Sequence, residues 1–74
     1  MNYGKAFREI REDMQMNRPE LARSIGLTTT ALWKIEHGRT VPKPKTIESL
    51  CRLVHIPLAY FYNKATTIED YMPL

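Results

Sequence analysis

The sequence predicts an all-α fold from its helix-start signals, its helix-stop signals and its apolar spacing. Asn17 and Thr28 can each cap the start of a helix, and Gly26 and Gly38 can each close one in the left-handed conformation. Between these signals, apolar residues recur at the 3.6-residue spacing of a helix with one face on a core. Residues 17–38 are therefore predicted to form two short helices joined by a tight turn.

The first predicted helix lies ahead of this segment and runs from about Tyr3 to Met14. Phe7, Ile10 and Met14 share one face and are expected to point inward, while charged residues occupy the other face. This helix is therefore expected to have a structural role.

The second and third helices are predicted at about 18–25 and 29–37. Glu20, three residues after Asn17, completes a capping box, and Pro19 is tolerated in the first turn because the N–H groups there have no partners anyway. On a wheel of about 100° per residue, the third helix divides into two arcs. The inward arc holds Ala31, Leu32 and Ile35. The polar arc holds Thr29, Thr30, Trp33, Lys34 and His37, which suit a binding surface better than a core.

Three segments complete the chain. Residues 38–45, with two prolines and three basic residues, are predicted to be an extended, stiff loop. A fourth helix is predicted at about Thr46–Val54 and a short fifth at about Pro57–Tyr62. The domain is accordingly assigned to 1–62. The tail, 63–74, either adds one helical turn from about residue 66 or stays loose.

Length and composition limit the classes of protein. A chain of 74 residues allows one small domain, whose core would gain from association. The sequence has no apolar run long enough to cross a membrane and no signal peptide, so a cytoplasmic location is expected. A single cysteine excludes an internal disulfide, which fits a reducing compartment.

The net charge of +3 is unevenly distributed. Residues 17–45 hold six basic and two acidic side chains, a net of +4, and the remainder of the chain nets −1. A basic stripe on a two-helix unit of this kind is typical of contact with nucleic-acid phosphates. A merely solvated face is the alternative for each charge.

These features together resemble the Cro and phage-repressor type of helix-turn-helix domain, the XRE family. The resemblance covers about residues 3–62 and implies a compact bundle of five helices that binds double-stranded DNA. The matching positions are Gly4, Phe7, Ile10, Arg11, Glu20, Leu21, Ala22, Ile25, Gly26, Thr28, Leu32, Ile35, Glu36, Gly38, Pro42, Thr46, Ile47, Leu50, Leu53, Ile56, Leu58 and Phe61.

The resemblance assigns roles on DNA to individual residues. The start of the third helix would meet base edges in the major groove, which makes Thr29, Thr30, Trp33 and Lys34 the candidate base contacts. For Trp33 the alternative is packing against a neighbouring loop or a dimer partner. The candidate phosphate contacts are Arg18, Thr28, His37, Arg39 and Lys43.

Five positions concern the scaffold. Relatives often pair an arginine at the place of Arg11 with the acid at Glu36, so the same ion pair is expected here. Arg18 replaces the usual glutamine, and because arginine cannot accept a hydrogen bond, this puts in doubt a side-chain bridge to the third helix. Glycine is common in relatives at the place of Gln15, so the turn after the first helix is expected to have a different shape, or the helix to run on. At His55, where glycine or asparagine is frequent, histidine is expected to tolerate a left-handed cap.

The sequence contains no constellation typical of an enzyme or a metal site. Cys51 occupies an inward position in the fourth helix, and His37 and His55 lack the spacing of paired ligands. No cofactor and no catalytic activity are expected. The predicted function is a sequence-specific transcriptional regulator, a repressor, and the alternative is a protein-interaction module such as an antitoxin or adaptor.

Relatives often bind DNA as homodimers, and the end of the chain is rich in apolar side chains. Either the tail forms a dimer interface, or it folds back over helices 1 and 5 of its own chain. The residues concerned are Leu58, Tyr60, Phe61, Tyr62, Ile68, Tyr71, Met72 and Leu74.

Overall fold

The computed structural model describes residues 1–72, which form six helices and no strand. The all-α prediction and its five helices are confirmed, and a sixth helix follows them. Leu74, expected in the apolar tail, lies outside the described residues. The helices are α1 (Tyr3–Asp13), α2 (Arg18–Ser24), α3 (Thr29–Glu36), α4 (Pro44–Val54), α5 (Leu58–Ala65) and α6 (Ile68–Tyr71).

Each of the first four helices is followed, within one or two residues, by a residue in the left-handed conformation. The two glycines do so as expected, with φ of 74° at Gly26 and 72° at Gly38. Gln15 and His55 adopt the same conformation, with φ of 57° and 58°. The first helix therefore stops rather than running on, and it keeps the turn shape that a glycine would give. A side chain in this region carries a steric cost of about 1 kcal/mol or more.

The core forms where helices α1 to α5 meet. Phe7 and Phe61 are fully buried and pack edge to face, with ring centroids 5.5 Å apart. Phe61 therefore belongs to the core and not to a surplus of exposed apolar residues. Cys51 is buried in the same core, as expected. The remaining buried apolar residues are Ala6, Ile10, Leu21, Ala22, Leu32, Ile35, Ile47, Leu50 and Ala65.

Met14 does not point into this core. Its exposed fraction is 50%, because α1 ends at Asp13 and Met14 is the C-cap, where the backbone leaves the helical path. The spacing that placed Met14 inward assumed a helix one residue longer, so that prediction was wrong.

Helices α4 and α5 are longer than predicted. Helix α4 begins at Pro44, two residues before the expected start, because Lys43 caps it in an extended conformation and proline suits the first helical position. Helix α5 continues to Ala65, which is fully buried and accepts a hydrogen bond from the backbone N–H of Asn2. The boundary assigned between residues 62 and 63 therefore lies inside α5.

Candidate nucleic-acid interface

Helix α3 is fixed in the chain at both of its ends. At the N-terminus, Thr28 Oγ1 accepts a hydrogen bond of 3.1 Å from the N–H of Ala31. At the C-terminus, the N–H of Gly38 donates to Ile35 O at 3.1 Å and that of Arg39 donates to Lys34 O at 2.8 Å. These two bonds form a Schellman motif, which turns the chain back beside the helix.

A buried carboxylate ties α3 to both preceding helices. The side chain of Glu36 is fully buried. Arg11 in α1 donates to its two oxygens, from Nε at 2.8 Å and Nη2 at 3.1 Å, so the expected ion pair is present. Arg11 also donates to the carbonyl of Met16 at 3.0 Å. Hydrogen bonding to Glu36 raises the pKa of Arg11, so the arginine stays charged.

Arg18 supplies the second cation on Glu36, which sequence reasoning missed. Its Nε donates to Glu36 Oε1 at 2.9 Å, across the gap between α2 and α3. The doubt about a bridge from this position is thus corrected, since the bridge is made with Arg18 as donor and a carboxylate as acceptor. A buried acid facing only one arginine was the available signal, because a carboxylate has room for several donors.

Helix α1 also approaches α3 at a glycine. A Cβ atom added to Gly4 would lie 2.6 Å from the carbonyl oxygens of both Ile35 and Glu36. Such a contact is shorter than any side chain can tolerate, so only glycine permits this spacing. Gly4 therefore brings α1 directly onto the last turn of α3.

The outward face of α3 carries the residues predicted for DNA. Leu32 and Ile35 are buried on its inner side, and Ala31 is half-buried. All five members of the predicted polar arc are exposed, namely Thr29, Thr30, Trp33, Lys34 and His37.

Trp33 makes contacts within its own motif, although its exposed fraction is 38%. The ring of His37 stacks on the indole, with centroids 3.9 Å apart and planes 15° apart. Arg39 lies over the indole as well, with its guanidinium carbon 5.8 Å from the ring centroid. Both partners were expected to contact phosphates, so the structure brings one candidate base contact together with two candidate phosphate contacts.

A groove of about 430 Å³ runs between α3, the loop after it and α4. Lys34 from α3 and Lys43 from the loop both line it, which brings a candidate base contact and a candidate phosphate contact to one surface. Thr30 lines the same groove. Thr40 and Val41 complete this surface and were not singled out from the sequence, because their position depends on the turn at Gly38.

Metal sites and membrane-spanning helices are both absent from the part of the chain that the structure describes. Residues 1–72 hold no group of three potential metal ligands, and none of their helices is long and apolar enough to cross a membrane. Burial raises the pKa of the Cys51 thiol, which favours its neutral form.

Comparison with known proteins points to one family. A family model described as a helix-turn-helix domain matches residues 2–59. The uncharacterized HTH-type transcriptional regulator RghRB of Bacillus subtilis strain 168 is 34% identical over 93% of this chain and 50% of its own length. The cryptic phage CTXphi transcriptional repressor RstR of Vibrio cholerae is 26% identical over 92% of this chain and 61% of its own.

One further curated protein and one solved structure are also similar to this chain. The ImmF control region 10 kDa protein of Bacillus phage phi105 is 29% identical over 74% of this chain and 61% of its own length. The crystal structure of the clp gene regulator ClgR from Corynebacterium glutamicum superposes with a TM-score of 0.81 at 25% identity, over 86% of this chain and 68% of that one.

This chain spans only 50–61% of the length of the curated relatives. The matched region nevertheless includes the whole segment from Asn17 to Gly38, with its two capped helices and exposed polar face. The chain belongs to the helix-turn-helix domain family, of the Cro and phage-repressor (XRE) type.

Proposed function

We propose that this protein is a sequence-specific regulator of transcription, a repressor, which binds double-stranded DNA with α3 in the major groove. A cytoplasmic location and the absence of enzymatic activity are part of the proposal. Two named relatives, a phage repressor and a gene regulator, support this class of function.

The observation that carries the proposal is the division of α3 into an anchored face and a free polar face. Glu36 and Gly4 fix the inner side of the helix to α1 and α2, while the outer side presents hydroxyl groups, an ammonium group and an indole. An α-helix of this size fits the major groove, where such groups can contact base edges.

Within this proposal, the residues divide into two groups. Lys34 would donate to guanine O6 and N7, the two threonines Thr29 and Thr30 would form hydrogen bonds or pack on thymine methyls, and Trp33 would offer an apolar contact. The candidate phosphate contacts are Arg18 through its Nη atoms, Thr28, His37, Arg39 and Lys43.

Selection of bound sequences from a random DNA pool at two salt concentrations tests the proposal. We expect one enriched motif at both concentrations, with weaker recovery at the higher one. Uniform recovery without a motif would contradict sequence-specific binding. An adaptor that uses the fold only for protein contacts would give that result, so the same experiment separates the two predicted functions.

A matched pair of lysine variants tests the phosphate contacts. Lys43→Ala should weaken binding to all sequences alike and lower the slope of affinity against salt by about one, because one phosphate contact is lost. Lys5→Ala is the control, since Lys5 lies on α1 and faces Glu9 at 4.0 Å. Equal slopes for Lys43→Ala and the wild type would remove Lys43 from the interface.

We further propose that the protein binds DNA as a homodimer and that α6 contributes to the interface. The exposure of the apolar side chains of α6 and its C-cap supports an interface over packing on the chain's own helices. Ile68, Tyr71 and Met72 are 69%, 73% and 65% exposed, and the contact of α6 with the start of the chain is an ion pair between Asp70 and the N-terminal amine. Exposed apolar groups gathered in so short a segment favour a partner.

Sedimentation equilibrium of a triple variant, Ile68→Ser with Tyr71→Ser and Met72→Ser, tests this interface. The variant should dissociate at concentrations where the wild type is a dimer, while its helix content stays unchanged. A variant that associates as strongly as the wild type would exclude α6. A wild type that stays monomeric alone but dimerises on a selected DNA site would limit the dimer to the complex.

A further inference from the structure

We propose that His37 is a positioning residue for Trp33: stacked on the indole, and assisted by Arg39, it holds Trp33 in one orientation suited to contact a thymine methyl in the major groove. This inference rests on the proposed function. A direct phosphate contact, the role expected of His37 from the sequence, is the alternative that the test separates from positioning.

The first argument is that the ring of His37 is already held by its own helix. Its Nδ1 lies 3.0 Å from the backbone carbonyl of Trp33, and in the Nδ1-protonated tautomer it donates a hydrogen bond there. Residues four apart on a helix face one another, so this bond and the ring stack support each other. One nitrogen of His37 is thus committed within α3.

The second argument is the closeness of the stack. Centroids 3.9 Å apart and planes 15° apart place the two rings in direct contact over one face of the indole. An aromatic pair is worth about 0.5–1.5 kcal/mol beyond the area it buries, enough to favour one side-chain orientation about 2- to 12-fold. A tryptophan without such a neighbour would exchange between staggered rotamers.

The third argument is the position of Arg39. The left-handed turn at Gly38 and the bond from Arg39 N–H to Lys34 O bring the chain back beside α3. The guanidinium carbon then lies 5.8 Å from the indole centroid, within the range of a cation–π contact. The Schellman motif therefore adds a second restraint on Trp33.

Orientation matters because a thymine methyl is a small apolar target. A mobile indole would lose conformational entropy on binding, whereas one held in the free protein would not. Trp33 remains 38% exposed despite its contacts, so apolar surface is left for DNA. The discrimination that Trp33 provides should therefore depend on His37.

Two variants of His37 separate positioning from phosphate contact. His37→Phe keeps an aromatic ring for the stack but has no donor for a phosphate. His37→Gln keeps a donor but has no ring. Sequence selection with the wild type and Trp33→Ala first identifies the base pair at which Trp33 discriminates. The affinities of both His37 variants are then measured for the selected site and for the site altered at that base pair.

If His37 positions Trp33, His37→Gln should lower discrimination at that base pair by about fivefold, and His37→Phe should recover most of it. The reverse pattern, in which His37→Phe weakens all sequences alike and His37→Gln behaves as the wild type, would make His37 a phosphate contact and overturn the inference. So would a Trp33→Ala variant with unchanged sequence preference.

A measurement without DNA keeps the inference separate from the proposed function. Trp33 is the only tryptophan in the sequence, so the decay of its fluorescence anisotropy reports its local motion. The fast component should be small in the wild type, larger in His37→Gln and small again in His37→Phe. His55→Gln is the control, because the only other histidine is exposed at the end of α4 and Gln15 already adopts the same left-handed conformation.

Equal local motion in the wild type and His37→Gln would overturn the inference whatever the DNA results. An expected anisotropy pattern combined with no enriched DNA motif for the wild type would instead overturn the proposed function, and with it the role of the stack in sequence recognition.

Discussion

Helices α3 and α6 are both linked to the rest of the chain through a carboxylate that meets a cation, yet their surroundings are opposite. In α3, the side chain of Glu36 is fully buried and accepts hydrogen bonds from two arginines. In α6, the carboxylate of Asp70 and the N-terminal amine are 32% and 31% exposed. Helix α3 also packs against Gly4, whereas the apolar side chains of α6 face solvent.

The difference shows that burial decides what such a contact contributes. An exposed ion pair contributes little to stability, because water screens it. A buried carboxylate that loses one of its partners remains charged without full compensation. Loss of one partner is therefore strongly destabilising, even when the intact ion pair adds little net stability. The helix proposed to contact DNA is thus held firmly, while α6 can adapt to a partner.

The largest effect is expected when the buried charge of α3 is removed. Glu36→Gln leaves Arg11 and Arg18 facing a neutral amide in a buried site, which should lower the free energy of unfolding by about 3 kcal/mol or more. Urea denaturation measures the change. Glu48→Gln, on the exposed side of α4, should stay within about 0.5 kcal/mol of the wild type. Similar losses in both variants would show that α3 is not anchored by Glu36.

The two arginines should contribute unequally to that anchor. Arg11→Ala removes two bonds to Glu36 and one to Met16 O, and should cost about 2–3 kcal/mol. Arg18→Ala removes a single bond from a side chain that is 33% exposed, and should cost about 1 kcal/mol or less. Melting of both variants tests the order. An unchanged Tm for Arg11→Ala would make the pair irrelevant to stability.

Steric contact between α1 and α3 gives the next effect. Gly4→Ala places a Cβ 2.6 Å from two backbone carbonyl oxygens of α3. The two helices would have to move apart to relieve this contact, and they would lose core contacts by doing so. Unfolding should become easier by about 1–3 kcal/mol. Lys5→Ala, one residue along on the exposed face, is the control. If Gly4→Ala is as stable as this control, α1 can shift away from α3 at little cost.

A smaller and opposite effect is expected at the turn that follows α1. Gln15→Gly should stabilise the protein by about 0.5–1 kcal/mol, because glycine adopts a φ of 57° without a Cβ clash. Gln15→Ala, which keeps the Cβ, should give no gain. Denaturation curves of the two variants separate the effect of backbone conformation from that of the side chain. A higher free energy of unfolding in both variants would mean that loss of the glutamine side chain causes the effect.

The smallest effect concerns α6 and depends on pH. Hydrogen bonding from the N–H of Thr67, with the nearby N-terminal amine, holds the pKa of Asp70 below its ordinary value of 3.8. A lowered pKa in the folded state means that Asp70 stabilises α6 above about pH 3.8 and that this contribution is lost as the pH falls further. The amide shift of Thr67 should follow this titration. In Asp70→Asn the transition should disappear.

Local signals were enough to predict most of the fold. The capping box of Asn17 and Glu20 and the glycine after α3 depend on neighbours in the chain, so their residue types define the helix ends. Pro44 shows where such signals are ambiguous. Proline disfavours a helix interior but suits a first turn, and the sequence alone did not separate the two.

Residue spacing within short segments was enough to predict the all-α class, the helix-turn-helix segment and the exposed polar face of α3. The folded structure added that Arg18 joins Arg11 on Glu36, that Gly4 permits contact with α3, and that Arg39 lies over the indole on which His37 stacks. The first two contacts join residues far apart in the sequence, and the third depends on the turn after Gly38. Glu36 pairs with two arginines that precede it by 18 and 25 positions. Arg39 reaches Trp33 because the backbone turns back after Gly38, and its final position follows from the dihedral angles of that turn.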